Sequence, residues 1–311
     1  MYSNSLFSFY LTQEKNAPIM FKNQISFGKY FLSYSDKTEV DKAIAEQSEL
    51  IILGDAVNLQ NDKTQGLSSL LLSKANDIHS LIKLEYNLGG KYVIFYRYND
   101  EYYILGDATC SIPISYAYFQ NDVLTCSSNL WNIVTHHNLK KDEYLLRIRN
   151  SGDIGQAMPH NYTVYKEIKQ LLPNHYLKVK PGEISENRFL SQVDTNVILS
   201  AKDAAKSTVS SIAKITKYYA NKYDLCCPIT AGRDSRVVLA FLKNTDKDLP
   251  CYTMRHEFHK QDEQDLTVPV ELCKKANLPH RQIENIFPSA EMSKEIDAIL
   301  GDRMYSQRTL R

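Results

Sequence analysis

Between residues 91 and 127 the chain alternates apolar and polar positions in two paired runs. Lys91 to Tyr98 (KYVIFYRY) and Glu101 to Leu105 (EYYIL) are rich in aromatic and β-branched residues and flank Asn99-Asp100, which predicts a hairpin. Ile112 to Phe119 and Val123 to Ser127 flank the polar turn Gln120-Asn121-Asp122 and predict a second. Two successive hairpins predict an antiparallel sheet. Leu50 to Leu53 reads as a further strand ending in a turn at Gly54-Asp55, and apolar residues at helical spacing from Leu67 to Ile82 predict a helix that covers one face of the sheet. Asn161 to Glu183 alternates around Pro173-Asn174, with another turn at Pro181-Gly182, and closes this β-rich half.

Beyond it the period changes. Ser185 to Asn196 is polar and aperiodic, which predicts a linker. From Ile198 to Tyr223 apolar residues fall at 205, 209, 212, 213, 215 and 219, a helical period with Ser200 as N-cap. A short buried strand, Leu225 to Ile229, leads through Thr230-Ala231-Gly232-Arg233-Asp234-Ser235 into a helix ending at Leu242, apolar nearly all round and so expected to be buried. Strand (Leu249 to Met254), helix (Leu266 to Ala276) and strand (Arg281 to Ile286) follow. Alternation at this spacing predicts a parallel sheet with helices on its faces, whose ligands sit at the carboxyl ends of the strands. The chain therefore divides into domains at residues 1–190 and 191–311.

Composition narrows the function classes. A length of 311 residues, 43% hydrophobic and 23% charged, suits two ordinary globular domains. Against 37 basic residues stand 36 acidic ones, and a net charge of +1 provides no general field for nucleic acid or an anionic membrane. No run approaches the roughly 20 apolar residues of a membrane span, and the N-terminus lacks the pattern of a signal peptide, so the expected location is cytoplasmic. The six cysteines form no CxxC pair and read as small buried residues of a reduced compartment. Many of the 21 tyrosines lie in the predicted strands, where they read as sheet packing with hydroxyls reaching water. His136-His137 point about 100° apart on a helix without an acidic partner in register, and read as surface or capping residues.

The strand, small-residue loop and helix at Leu225 to Leu242 carry the candidate chemistry. Such a loop aims backbone N–H groups and the positive end of a helix dipole at open space, which suits phosphate. The plain alternative makes Asp234 and Ser235 an ordinary helix N-cap. Asp262-Glu263-Gln264-Asp265 reads either as the acidic first turn of the next helix or, through Asp265, as a metal ligand. Cys251, His256, His259 and Cys273 match no common zinc spacing, and adjacent Cys226 and Cys227 point to opposite strand faces.

Thr230-Ala231-Gly232-Arg233-Asp234-Ser235 resembles the SGGxDS pyrophosphatase loop of ATP-dependent ligases that release AMP and pyrophosphate. Upstream, GGKYVIFY, YYILGDATCSIPISYAY and LTCSSN resemble the glutamine-amidotransferase domain of the asparagine synthetase family, as does Leu172-Pro173-Asn174-His175-Tyr176-Leu177, with Asn174 in place of a glycine. Downstream, Asp265 to His280 resembles that family's following helix and its histidine-containing turn. The matches occur in family order over most of the chain. The resemblance implies an α+β N-terminal domain of Ntn-hydrolase-like layered antiparallel sheets, then an α/β parallel-sheet, Rossmann-like domain of the adenine-nucleotide α-hydrolase type. It implies that ATP and Mg²⁺ bind at Thr230, Gly232, Asp234 and Ser235, with Ile229 and Met254 flanking adenine. Asp234 and Asp265 would take the Mg²⁺, and Arg233 would neutralise charge on the leaving pyrophosphate. The implied substrates are a small-molecule carboxylate and ammonia or an amine, with no nucleic-acid or membrane partner.

The departures from the family pattern are specific. The family's glutaminase uses a cysteine exposed by removal of the first methionine. Here Tyr2 follows Met1 and the first cysteine is Cys110, so the implied N-terminal domain is amidotransferase-like without its nucleophile. Gly106 stands where the family has an arginine before Asp107. Thr230 keeps a hydroxyl in place of serine, whereas Ala231 fits only if its position does not require positive φ. The family's later acidic motif has no match before Arg311, which predicts a synthetase domain cut short, or completed by a separately encoded partner chain. Two readings stay open: an AMP-forming carbon–nitrogen ligase, and a non-catalytic homologue serving as a nucleotide-binding or assembly module.

Overall fold

The structure is a computed structural model that describes residues 7–15, 21–61, 63–119, 123–151, 158–189, 200–243, 245, 249–256, 260, 263–284 and 289–292. By its internal contacts the chain falls into two units, one holding described residues 7–189 and 289–292 and the other 200–284.

The first unit runs β1 (Phe9–Thr12), β2 (Asn23–Phe27), β3 (Tyr30–Tyr34), β4 (Val40–Ile44), β5 (Ser48–Asn58), α1 (Leu67–Leu72), α2 (Ile78–Glu85), β6 (Leu88–Tyr98), β7 (Glu101–Gly106), β8 (Ser115–Phe119) and β9 (Val123–Ser127). It continues with α3 (Leu130–His137), α4 (Glu143–Asn150), β10 (Ile168–Gln170), β11 (His175–Lys180) and β12 (Glu183–Arg188). The strands form two six-stranded sheets, ordered β10-β8-β9-β1-β3-β2 and β12-β11-β7-β6-β5-β4, and every pairing in them is antiparallel.

Alternation along the strands makes two layers from these sheets. Phe9, Leu11, Phe27 and Leu32 of the first meet Ile51, Leu53, Phe95 and Ile104 of the second in one buried cluster. The opposite residues of β5 and β6, Leu50, Ile52, Ile94 and Tyr96, face Leu67, Leu71, Leu81 and Ile82 of α1 and α2. On the far side of the first sheet Tyr10 and Ala117 pack against Leu130, Ile133 and Val134 of α3. The order of layers is helix, sheet, sheet, helix.

Both hairpins form as the sequence predicts, with Tyr98 opposite Glu101 across Asn99 (φ 54°) and Phe119 opposite Val123. They belong to different sheets, however, not to one. The tyrosines do pack, and two of the buried hydroxyls bond to carboxylates: Tyr92 donates to Glu85 at 2.6 Å and Tyr116 to Glu186 at 2.9 Å. Asn174 adopts the left-handed conformation (φ 59°), which asparagine tolerates better than most residues other than glycine.

Four other expectations are corrected. Gly54-Asp55 is not a turn: β5 runs on to Asn58, because Gly54 (φ 108°) brings the ladder so close that a Cβ there would lie 2.5 Å from the Lys91 carbonyl oxygen. Ser185 belongs to β12, which pairs with β11 across Pro181-Gly182, so the predicted linker starts too early; its residues 190–196 lie outside the described residues. His136 and His137 are half-buried, and His136 Nε2 lies 3.1 Å from Glu14 Oε2, an acidic partner supplied by a distant segment. The predicted helix from Leu67 to Ile82 is two helices, divided where Asp77 caps α2: its carboxylate accepts the Ser80 N–H at 2.7 Å and Ser80 Oγ accepts the Asp77 N–H at 3.0 Å. Asp77→Ala is expected to lower stability by about 1 kcal/mol, measured by urea unfolding.

The second unit runs α5 (Ala201–Lys222), β13 (Cys227–Pro228), α6 (Arg233–Leu242), β14 (Cys251–Arg255), α7 (Gln264–Ala276) and β15 (His280–Glu284). Ser200 caps α5 through the Asp203 N–H, as its position in the sequence predicts. The strands pair in parallel in the order β13-β14-β15 around a core of Cys227, Ile229, Leu239, Leu242, Leu249, Cys251 and Cys273. The predicted burial of α6 is corrected: Leu239 and Leu242 are buried, while Val237 and Val238 are each 50% exposed. The three-stranded sheet and α5 each cover part of α6, and the side that carries Val237 and Val238 is left exposed among the described residues.

Candidate functional site

β13 ends at the point where the chain must leave the sheet for α6. Ile229 still belongs to the ladder, with its N–H donating to the Tyr252 carbonyl at 2.9 Å and its own carbonyl accepting from Thr253 Oγ1 at 2.8 Å. Thr253 is buried, and its hydroxyl proton goes to Ile229, so the 2.9 Å contact with His280 Nε2 makes the imidazole N–H the donor. Burial lowers the pKa of His280, in keeping with a neutral ring. All three strands are thus tied together directly beneath the loop.

The loop folds on its own oxygens. Thr230 N–H donates to Ser235 Oγ at 3.1 Å, Gly232 N–H to Thr230 Oγ1 at 3.0 Å, and Ala231 N–H to Asp265 Oδ1 at 2.9 Å. Arg236 Nε donates to the Gly232 carbonyl at 3.1 Å. Gly232 is the N-cap of α6 and provides no side-chain cap bond. Asp234 and Ser235 are therefore the second and third residues of the helix, not its cap. Ala231 has no positive φ, so its position does not require a glycine.

Each residue singled out from the sequence can now be placed. Thr230, Gly232, Arg233 and Asp234 are exposed at the start of α6, Ser235 is half-buried there, and Met254 is 40% exposed at the carboxyl end of β14. Asp265, in the first turn of α7, reaches the loop across a separation of 34 residues. Ile229 does not offer its side chain, which is turned wholly into the core. Arg236, Thr253 and the Asp265–Ala231 contact are absent from the sequence reading. The first two carry no signal, since an arginine inside a helix and a threonine inside a strand are ordinary there. Asp234 and Asp265 provide oxygen donors alone, and such a pair fits a hard divalent cation that takes its other ligands from phosphates and water.

The thiols fit packing. Cys227 is buried and Cys226 exposed, on opposite faces as expected, and burial pushes Cys251 up to about 12. Among the described residues no three His, Cys, Asp or Glu side chains gather as metal ligands, and His259 lies outside them. In the first unit burial raises the pKa of Cys110, to about 12, and of Cys126, so neither is an activated nucleophile. Asp107 is saturated locally, accepting from the N–H and hydroxyl of both Thr109 and Ser111. No helix among the described residues is long and apolar enough to cross a membrane.

No family model and no curated protein matches the chain. Among solved structures it is similar to a glutamine phosphoribosylpyrophosphate amidotransferase from B. subtilis complexed with ADP and GMP, at 11% identity and a TM-score of 0.34, covering 93% of this chain and 64% of that one. It is also similar to an allosteric regulatory enzyme of purine biosynthesis (11% identity, TM-score 0.34, 94% of this chain and 71% of that one). A third is a glutamine aminotransferase class-II domain protein from Silicibacter pomeroyi (12% identity, TM-score 0.32, 53% of this chain and 76% of that one). The chain spans less than two thirds of the length of the first of these.

Proposed function

We propose that the chain is an ATP-dependent, AMP-forming carbon–nitrogen ligase of the asparagine synthetase type, whose N-terminal domain is amidotransferase-like. One observation carries this reading. Thr230 to Ser235 sits at the carboxyl end of a parallel strand, opens a helix of ten residues, and has an acidic side chain from the next helix brought against it. In this reading the N–H groups around Gly232 and the Ser235 hydroxyl hold the pyrophosphate portion of ATP, and the α6 dipole favours its charge. Asp234 and Asp265 would hold Mg²⁺, which supplies charge neutralisation on the phosphates. Arg233, exposed at the first helical position, would stabilise the departing pyrophosphate, and Met254 would line the adenine side. The carboxylate substrate is adenylated, and ammonia or an amine displaces AMP.

Pyrophosphate exchange into ATP, dependent on one member of a carboxylate panel, is the expected result with the full chain; no exchange with any carboxylate would sink the ligase reading. Asp234→Ala is expected to weaken Mg-ATP binding at least tenfold by calorimetry while leaving the circular dichroism unchanged, because the residue is exposed and caps nothing.

The second reading, a non-catalytic nucleotide-binding or assembly module, draws on the apolar surface of the second unit. Val209, Val237, Val238, Val270 and Ile283 are all 44% or more exposed. They lie on α5, α6, α7 and β15, and would serve as a contact surface for another polypeptide where they adjoin one another. Under this reading ATP or a partner chain binds and pyrophosphate exchange is absent.

A further inference from the structure

The three successive amides of the loop all have acceptors, but the acceptors differ in kind. Thr230 and Gly232 donate to hydroxyls of the loop and its helix, Ser235 Oγ and Thr230 Oγ1, which rotate away at little cost. Ala231 donates to a carboxylate from another element, 34 residues on. A charge-assisted bond of this sort is shorter and stronger than one between neutral groups. Asp265 is also partly shielded and sits in the first turn of α7, whose dipole favours its charge whether or not Ala231 is bonded to it.

Resting on the reading that this loop takes phosphate, we propose that Asp265 is a resident anion of the loop. Its carboxylate holds, at the Ala231 amide, the position that a phosphate oxygen must take over, so that the loop is self-occupied until a phosphorylated ligand displaces it. Two anions competing for one amide repel each other in the absence of a cation. Asp265→Asn keeps an oxygen for the Ala231 N–H and removes the charge; Asp265→Ala removes both.

The test uses the full chain in chelator, with inorganic pyrophosphate and ATP as probes in calorimetry, and hydrogen exchange of the 229–235 segment. Both variants are expected to bind metal-free pyrophosphate about tenfold more tightly than the unaltered chain. Without ligand, the loop amides should exchange faster in Asp265→Ala than in Asp265→Asn. Binding that appears in the variants alone supports the proposal equally. Affinity that is unchanged or weaker in both variants overturns it while leaving the phosphate-loop reading intact. Failure of all three chains to bind either probe, with or without magnesium, overturns both.

Discussion

Phe95→Ala is expected to lower the stability of the first unit by about 4 kcal/mol. Phe95 lies at the centre of the interface between the two sheets and is wholly buried. Its ring meets Phe9 edge-on at 5.4 Å and Phe27 at 5.9 Å, both from the opposite sheet. Truncation removes the transfer energy of the ring, leaves a cavity between two rigid ladders that cannot close over it, and deletes both aromatic contacts. A loss of that size is a large part of a total stability of about 5–15 kcal/mol. The measurement is direct, because the chain has one tryptophan, Trp131, packed against Tyr165 in the same unit, so its fluorescence in urea reports this unit. A midpoint shift equivalent to less than about 1 kcal/mol would contradict face-to-face packing of the sheets at Phe95. The ATP binding proposed for the second unit, measured by calorimetry at low temperature, should change little in the same variant, since residues in separate cores act independently.

The parts of the fold that were legible are those where local chemistry and tertiary structure agree. Asn99-Asp100 between two aromatic runs specifies a hairpin through the turn itself, and the pairing of Tyr98 with Glu101 follows. Ser200 before an apolar period specifies the start of α5 in the same local way. Assignment of the hairpins to sheets was not legible, because each strand of a sandwich is apolar toward the shared core whichever layer holds it. Four early strands, β1 to β4, went unrecognised. β1 shows no alternation, since Phe9, Tyr10, Leu11 and Thr12 are all buried between core on one side and α3 on the other. β2 is largely polar, β4 is interrupted by the adjacent charges of Asp41 and Lys42, and each lies at a sheet edge.

At the candidate site, the sequence supplied the loop and its acidic neighbour, and folding supplied their relation. Nothing in the spacing of Ala231 and Asp265 tells which atom of one meets which atom of the other; the crossover through β14 does that. Ile229 shows the opposite limit. Its place beside the loop suggests contact with a base, yet the period of two in a strand turns its side chain into the core once Thr230 faces outward. The apolar positions of α6 imply burial, but only the presence of a covering surface provides it, and Val237 and Val238 lack one among the described residues.

Glu85→Gln is expected to remove the steepest neutral-range pH dependence of the first unit. Glu85, at the end of α2, is 3% exposed and accepts a 2.6 Å bond from Tyr92, which is itself buried. Burial raises its pKa from 4.5 to about 7, and the nearby negative charge of Asp107 adds to the rise while the Tyr92 bond opposes it. The folded state therefore binds more protons than the unfolded state between those two values, and stability falls as pH rises through that window. The loss is about 3 kcal/mol, complete above pH about 8, at about 1.4 kcal/mol for each pH unit. Glutamine keeps an oxygen for Tyr92 and carries no charge, so the variant should match the unaltered chain near pH 4.5 and exceed it by about 3 kcal/mol at pH 8. Glu101 acts in a separate window with the opposite sign. Burial there is outweighed by hydrogen bonds from Lys180, Tyr103 and Lys178, which lower its pKa to about 2, so its contribution is gained below the point where Glu85 begins to titrate. Urea midpoints by Trp131 fluorescence from about pH 2 to 8 distinguish the two, and parallel profiles above pH 4.5 for Glu85→Gln and the unaltered chain would show that Glu85 ionises without penalty.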